Sequence, residues 1–245
     1  MTTVSQAKCE IFANADVLAH SVADWLSAIA REKDGVVAVA LAGGATPRGL
    51  YECLARPPHL NAFPWFSTHW FWGDERYVPH DDVRSNYHMA WTAMLSHTPT
   101  PPGNIHAIPT SGADPDISAH AYERELKAFY RAGKLNSAKP LFDVVLLGLG
   151  KDGHIASLFP GSPVLKECNR WVAAVEGPNS ETRITLTYPA LDSTRHVAFL
   201  VSGPEKQLVL SGLRQGLCEL PAAHVRSAGT LHLFADAAAA PAASS

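Results

Sequence analysis

Disulfide chemistry has little to work with in this chain. Its 245 residues include four cysteines, Cys9, Cys53, Cys168 and Cys218, far apart and without a C-x-x-C pair. That usage reads as free thiols in a reducing compartment. No apolar run reaches the ~18 residues of a membrane helix. The opening stretch, Met1-Thr2-Thr3-Val4-Ser5-Gln6-Ala7-Lys8, lacks the apolar centre of a signal peptide, so neither a membrane span nor export is expected. A formal charge of −3 excludes a general affinity for nucleic acid or anionic membrane and leaves anion recognition to a few placed cations. There is no H-E-x-x-H, no His-x-His and no Cys/His cluster, so no protein-held metal is expected. Nor is there a G-x-S-x-G nucleophile elbow or a G-x-x-x-x-G-K-[ST] phosphate loop,. What remains is a cytoplasmic protein of ordinary globular composition, 47% apolar and 18% charged,.

The apolar pattern that is present alternates between two periods. Val17, Leu18, Val22, Trp25, Leu26 and Ile29 mark a helix over 16–33, with Asn14 or Asp16 as its cap,. The continuous run Val36–Leu41 reads as a parallel strand covered on both faces,. A short helix at 47–56, a strand at 69–72, a polar loop, a helix near 85–95 and a Pro/Thr-rich loop at 96–104 follow. Another helix is expected at 115–131, with Ile117, Ala121, Leu126 and Phe129 towards the core. Further strands are expected at 142–147, 171–175, 183–187, 197–201 and 231–234, with a helix from Pro204 to about 215. Strands alternating with helices predict one α/β domain over 1–236, a mainly parallel Rossmann-like sheet with helices on both faces. The Ala-rich residues 237–245 are expected to form a disordered tail.

Five stretches carry the chemistry. Leu41-Ala42-Gly43-Gly44-Ala45-Thr46-Pro47 runs from a strand through a glycine turn into a helix start, where free N–H groups and a hydroxyl suit a phosphate,. Trp72-Gly73-Asp74-Glu75-Arg76 lies at another strand end, where an arginine can hold an anionic or carbonyl oxygen. Gly148-Leu149-Gly150-Lys151-Asp152-Gly153-His154-Ile155-Ala156-Ser157-Leu158-Phe159-Pro160-Gly161 follows a third strand. It sets a titratable imidazole two residues after a carboxylate, a base with its orienting partner. The fourth is Arg183-Ile184-Thr185-Leu186-Thr187-Tyr188-Pro189. The fifth, Ser202-Gly203-Pro204-Glu205-Lys206, places a cation at a helix start, unfavourable for the helix dipole unless an anion answers it,. Gly148-x-Gly150-x-x-Gly153, with Glu176 further on, also matches a dinucleotide-binding fingerprint,. Pro160, Gly161 and Pro163 interrupt the helix that fingerprint needs,, so no nicotinamide cofactor is expected.

Taken in order, with Ser85-Asn86-Tyr87 after the second, these five stretches resemble the 6-phosphogluconolactonases of the glucosamine-6-phosphate isomerase/6-phosphogluconolactonase family. The match runs over nearly the whole chain; Ile155, Tyr188 and Tyr77 depart from residues common there without removing a catalytic group. The resemblance implies hydrolysis of 6-phospho-D-glucono-1,5-lactone, without metal or cofactor, by a cytoplasmic monomer or small homo-oligomer. Its partner is a small phosphorylated lactone, with no nucleic acid and no membrane. It implies His154 as general base, Asp152 as the group that orients it, Arg76 for the oxyanion, and Asp74 for placing sugar hydroxyls or Arg76. The phosphate falls to Gly43, Gly44, Ala45, Thr46, Arg183 and Lys206. A glucosamine-6-phosphate deaminase is the nearest alternative, but its histidine is followed five residues later by a catalytic glutamate, and here that position is Phe159. A non-catalytic sugar-phosphate sensor on the same fold needs a DNA-binding module, for which the single helix before the Val36–Leu41 run leaves no room.

Overall fold

The computed structural model describes residues 1–216 and 219–240. In chain order the strands are β1 (Thr2–Thr3), β2 (Lys8–Phe12), β3 (Val37–Leu41), β4 (Thr68–Trp72), β5 (Asp74–Arg76), β6 (Ile105–His106), β7 (Phe142–Gly148), β8 (Val172–Glu176), β9 (Thr182–Leu186), β10 (Thr194–Val201), β11 (Arg226–Ser227) and β12 (Thr230–Asp236). The α-helices are α1 (Ala15–Glu32), α2 (Ala45–Leu54), α3 (His59–Ala62), α4 (Asn86–Ala93), α5 (Pro115–Tyr130), α6 (Tyr188–Asp192) and α7 (Gln207–Arg214).

Seven strands form one parallel sheet in the order β2-β12-β10-β7-β3-β4-β6. Every residue of β3 is buried, as a continuous apolar run between two helical layers requires. Alternation along β4 assigns those layers. Trp70 stacks on Phe63, just after α3, and Trp72 meets Tyr87 of α4 with ring centroids 5.3 Å apart. Phe71, on the opposite face, meets Phe129 of α5 at 4.9 Å. The expected sheet with helices on both faces is therefore present. Asn14 caps α1, its side chain accepting from the Val17 N–H at 2.9 Å,.

Several details differ from the sequence reading. Asp74–Arg76, expected as loop, is strand β5 of a separate antiparallel sheet, β5-β9-β8. Lys8–Phe12 is an edge strand whose exposure leaves no apolar signal. Of the expected core positions of α5, Leu126 is buried and Phe129 packs against the sheet, but Ile117 is 66% exposed, and Ala119, Tyr122 and Tyr130 turn inward beside Leu126. Residues 237–240 are not loose: the Ala237 N–H donates to Phe12 O and the Ala239 N–H to Asp236 Oδ1. Residues 241–245 and Cys218 lie outside the described residues, and Cys9, Cys53 and Cys168 are free thiols. Among the described residues no helix is long and apolar enough to cross a membrane.

Two buried tyrosines close the carboxyl ends of the neighbouring strands β3 and β4. The Tyr51 hydroxyl accepts from Ala42 N at 2.9 Å and donates to Ala42 O at 2.8 Å. Tyr122 does the same at Trp72, at 2.9 and 3.1 Å. Each phenol replaces the ladder partner a strand loses as it leaves its neighbour. Burial pushes both phenols well above their ordinary range, so they stay neutral. Tyr51→Phe strands one buried N–H and one buried C=O, each costing about 1–3 kcal/mol. Urea unfolding should show a loss of about 2–4 kcal/mol. A variant as stable as wild type would mean that water or a backbone shift satisfies Ala42.

Candidate active site

The chain leaves β3 towards β4 on one side and later returns to β7 on the other, so the β3 and β7 loops diverge at a topological switch point, where open α/β sheets bind ligands,. The backbones run close there: a Cβ on Gly148 would lie 3.7 Å from Gly43 O. The loops after β3, β4, β7 and β10 enclose a cavity of about 390 Å³. Gly43, Gly44, Ala45, Thr46, Asp74, Arg76, His154, Arg183 and Lys206 all line it, joined by Asn86, Ser202 and Glu205. Of the predicted site residues only Asp152 lies outside this lining. It stands behind His154, at the edge of a second cavity of about 980 Å³ beyond Phe159.

The loop after β7 folds back on itself through Gly150 N to His154 O at 2.8 Å and Gly153 N to Gly150 O at 3.0 Å. This brings His154 Nδ1 to 2.6 Å from Asp152 Oδ1, which also accepts from the His154 N–H at 3.2 Å. Assigning the Nδ1 proton to that bond leaves Nε2 as the acceptor of a neutral imidazole. Burial pulls the Asp152 carboxyl up, but the hydrogen bonds and charge of His154 outweigh it and hold the group below its ordinary value,. Phe159 packs on the imidazole, ring centroids 4.8 Å apart. No helix follows Gly153 until a short 3₁₀ turn at Pro163–Lys166, as the interruption by Pro160 and Gly161 predicts.

Asp74, Glu75 and Arg76 divide their work. Asp74, 5% exposed, accepts from Ser157 Oγ at 2.6 Å and Asn86 Nδ2 at 3.3 Å, and lies 3.6 Å from Arg183 Nη1. It reaches Arg76 through Asn86, whose Oδ1 accepts from Arg76 Nη1 at 2.7 Å. The same Nη1 donates to Arg84 O at 2.8 Å, and the buried Arg76 Nε has no hydrogen-bond partner among the described residues. Glu75, 1% exposed, accepts from the N–H groups of Arg76, Asn86 and Tyr87 and from the Ser85 hydroxyl. Burial pushes its carboxyl up against the pull of those four donors. Asn86 and Tyr87 open α4, so this carboxylate also answers the positive end of that helix. A Cβ on Gly43 would fall 2.0 Å from Asn86 Oδ1, so the glycine loop is bare where it meets this network.

On the other side of the cavity, Asp236 at the end of β12 accepts from Ser202 Oγ at 2.5 Å and from the Gly203 N–H at 3.2 Å. That fixes the turn in which Gly203 takes φ 100° and Lys206 becomes the N-cap of α7. Gly44, at φ 104°, is the N-cap of α2, and the Ala45 and Thr46 amides open that helix without acceptors inside it,. Sequence reasoning assigned no role to Asn86, Ser157 or Asp236. Asn86 sits in a noted motif, whereas Asp236 has no signal beyond ending a strand. No group of three or more His, Cys, Asp or Glu placed to hold a metal occurs among the described residues.

Gly150 supplies a direct check on the histidine. A Cβ there would lie 2.1 Å from His154 Nδ1 and 2.6 Å from Asp152 Oδ1, so Gly150→Ala must push the ring off its carboxylate. The low-field His154 Nδ1 proton resonance should disappear while the melting temperature stays near that of wild type. Retention of that resonance would contradict the packing described.

The family model for glucosamine-6-phosphate isomerases/6-phosphogluconolactonase matches residues 13–233. The chain is 46% identical over 185 residues to the 6-phosphogluconolactonase of Synechocystis, covering 75% of this chain and 72% of that protein. It is 39% identical over 214 residues to the 6-phosphogluconolactonase of Nostoc, covering 85% of each. The crystal structure of 6-phosphogluconolactonase from Thermotoga maritima matches with a TM-score of 0.80 at 30% identity, covering 94% of this chain and 99% of that one.

Proposed function

The chain belongs to the glucosamine-6-phosphate isomerase/6-phosphogluconolactonase family, and from that premise we propose that it hydrolyses 6-phospho-D-glucono-1,5-lactone to 6-phospho-D-gluconate, in the oxidative branch of the pentose phosphate pathway, without a metal. One observation carries this reading: His154, hydrogen-bonded to Asp152, stands on the wall of the cavity that also holds Arg76, Lys206 and the glycine-loop amides. Cytoplasmic placement, expected from the separated cysteines, belongs to the same proposal.

A lactone already carries an electrophilic carbonyl, so positioning and an activated water are enough. His154 Nε2 takes a proton from water as its oxygen bonds to C1. The carbonyl oxygen becomes an oxyanion beside Arg76, whose Nη1 donates to neutral oxygens and whose Nε is unpartnered among the described residues,. Collapse breaks the bond from C1 to the ring oxygen, which takes the proton back from His154. Asp152 holds the tautomer and stabilises the transient imidazolium. The phosphate is met by the Gly43, Gly44, Ala45 and Thr46 segment, Lys206 and Arg183. Asp74, with its carboxylate taken up by Ser157, Asn86 and Arg183, positions these groups.

Phe159 supports hydrolysis over the ring-opening chemistry of a deaminase. Its apolar ring lies against His154 and under the Arg183 guanidinium, 5.5 Å from the ring centroid, so the carboxylate that such a relay needs at this position is replaced by a wall.

In an assay with chelator present, wild type should keep its full lactonase activity, and His154→Ala should lose about 10²–10⁴ in kcat. KM should change little, because the phosphate contacts remain. Activity lost to the chelator and restored by a metal would sink the metal-free mechanism. A His154→Ala variant with near-normal kcat would move the base elsewhere.

A further inference from the structure

Among the described residues, Arg183 is the proposed phosphate ligand whose charge is answered by carboxylates of the chain itself. Its Nε and Nη2 both donate to Glu181 Oε1, Nε at 2.8 Å, and its Nη1 lies 3.6 Å from Asp74 Oδ2. Two carboxylates around one guanidinium make the group net negative. A phosphate that approaches Arg183 therefore meets Glu181 as a like charge, and on the Nε/Nη2 edge that suits a two-pronged oxyanion contact. Arg76 differs: Arg84 O and Asn86 Oδ1, which accept from its Nη1, are neutral.

The backbone around Glu181 is shaped to the pair. Glu181 ends the turn between β8 and β9, closed by Gly177 N donating to Glu181 O at 2.7 Å. Asn179 and Ser180 both take positive φ in that turn. A Cβ on Gly177 would lie 2.9 Å from Arg183 Nε and 3.2 Å from Glu181 Cγ, so residue 177 is bare where the pair packs. Of the two carboxylates, Asp74 has 7% of its side chain exposed and Glu181 35%. Glu181 is the member that can yield to solvent.

We propose that Glu181 is an affinity-setting counter-anion, which neutralises Arg183 and competes with the phosphate of the ligand for its Nε/Nη2 edge. This rests on the reading that Arg183 takes a phosphate. Glu181 thus weakens binding of phosphorylated ligands, product included, at a site that must release what it has made.

Titration calorimetry with inorganic phosphate on the whole chain tests this without turnover. Glu181→Gln keeps the acceptor oxygen and removes the charge, so phosphate should bind about 3- to 30-fold more tightly, less so at high salt. Glu181→Ala should also tighten binding. In an Arg183→Ala background the gain from Glu181→Gln should shrink, since no guanidinium edge is released. Unchanged or weaker binding in both Glu181 variants would make the carboxylate a support for Arg183 and overturn the inference. An equal gain with and without Arg183 would do the same, as would failure of phosphate to bind wild type. A chain that binds phosphate as described yet leaves the lactone intact would sink the lactonase reading and leave this one standing.

Discussion

A single buried carboxylate holds the candidate site to the fold. Asp74 leaves the parallel sheet at the end of β4 and pairs, as part of β5, with Thr185 of the antiparallel sheet. Its side chain then joins Ser157 from the histidine loop, Asn86 from the start of α4, and Arg183 from β9. Two hydrogen-bond donors and the Arg183 guanidinium converge on a group 5% exposed, where removing the carboxylate leaves the buried Ser157 hydroxyl without its acceptor. Through Ser157 it anchors the turn three residues beyond His154, and through Asn86 it sets Arg76. The loops carrying His154, Arg76 and Arg183, the groups proposed as base, oxyanion cation and phosphate ligand, thus share one fixed point.

The surrounding fold supplies rigidity and close approach. Parallel strands end together at the switch point, so loops far apart in sequence face one cavity,. Tyr51 and Tyr122 satisfy the strand ends at Ala42 and Trp72 from which two of those loops depart. Glu75 gathers four donors and so binds the 77–85 loop and the start of α4 to β5. Glycine is needed where functional groups crowd the backbone: at 43 a side chain would collide with Asn86, and at 150 with the His154–Asp152 pair. Preorganisation of this kind lowers the cost of orienting a small substrate.

Much of this was legible because strong local patterns coincided with the ligand-binding end of the sheet. The apolar run into Gly148, the Asp152/His154 spacing and the glycine pair after Leu41 are each local, and each lines or borders the cavity. The strand character of Asp74–Arg76 was not, because three charged residues hold strand form only by pairing with Thr185, Ile184 and Arg183, more than a hundred residues later. Asp236 was hidden for a similar reason: its meaning lies in Ser202 and Gly203 across the sheet. Ile117 misled because helical spacing defines a stripe but not which neighbouring side chains widen it; Tyr122 and Tyr130 set the phase of α5. Arg183 is legible as a cation, while the acids that answer it are not: Glu181 is turned onto it by the tight turn between β8 and β9, and Asp74 reaches it only through the pairing of β5 with β9.

On the proposed reading, the His154 cavity, walled by Phe159, hydrolyses a phosphorylated lactone and does not open and deaminate an amino sugar. A side-by-side assay of the purified chain on 6-phosphogluconolactone and on glucosamine 6-phosphate addresses it most directly. Rapid acid release from the lactone is expected, with no ammonia above background from the amino sugar. Ammonia release at a rate comparable with lactone hydrolysis, or lactone decay no faster than in buffer, would contradict it.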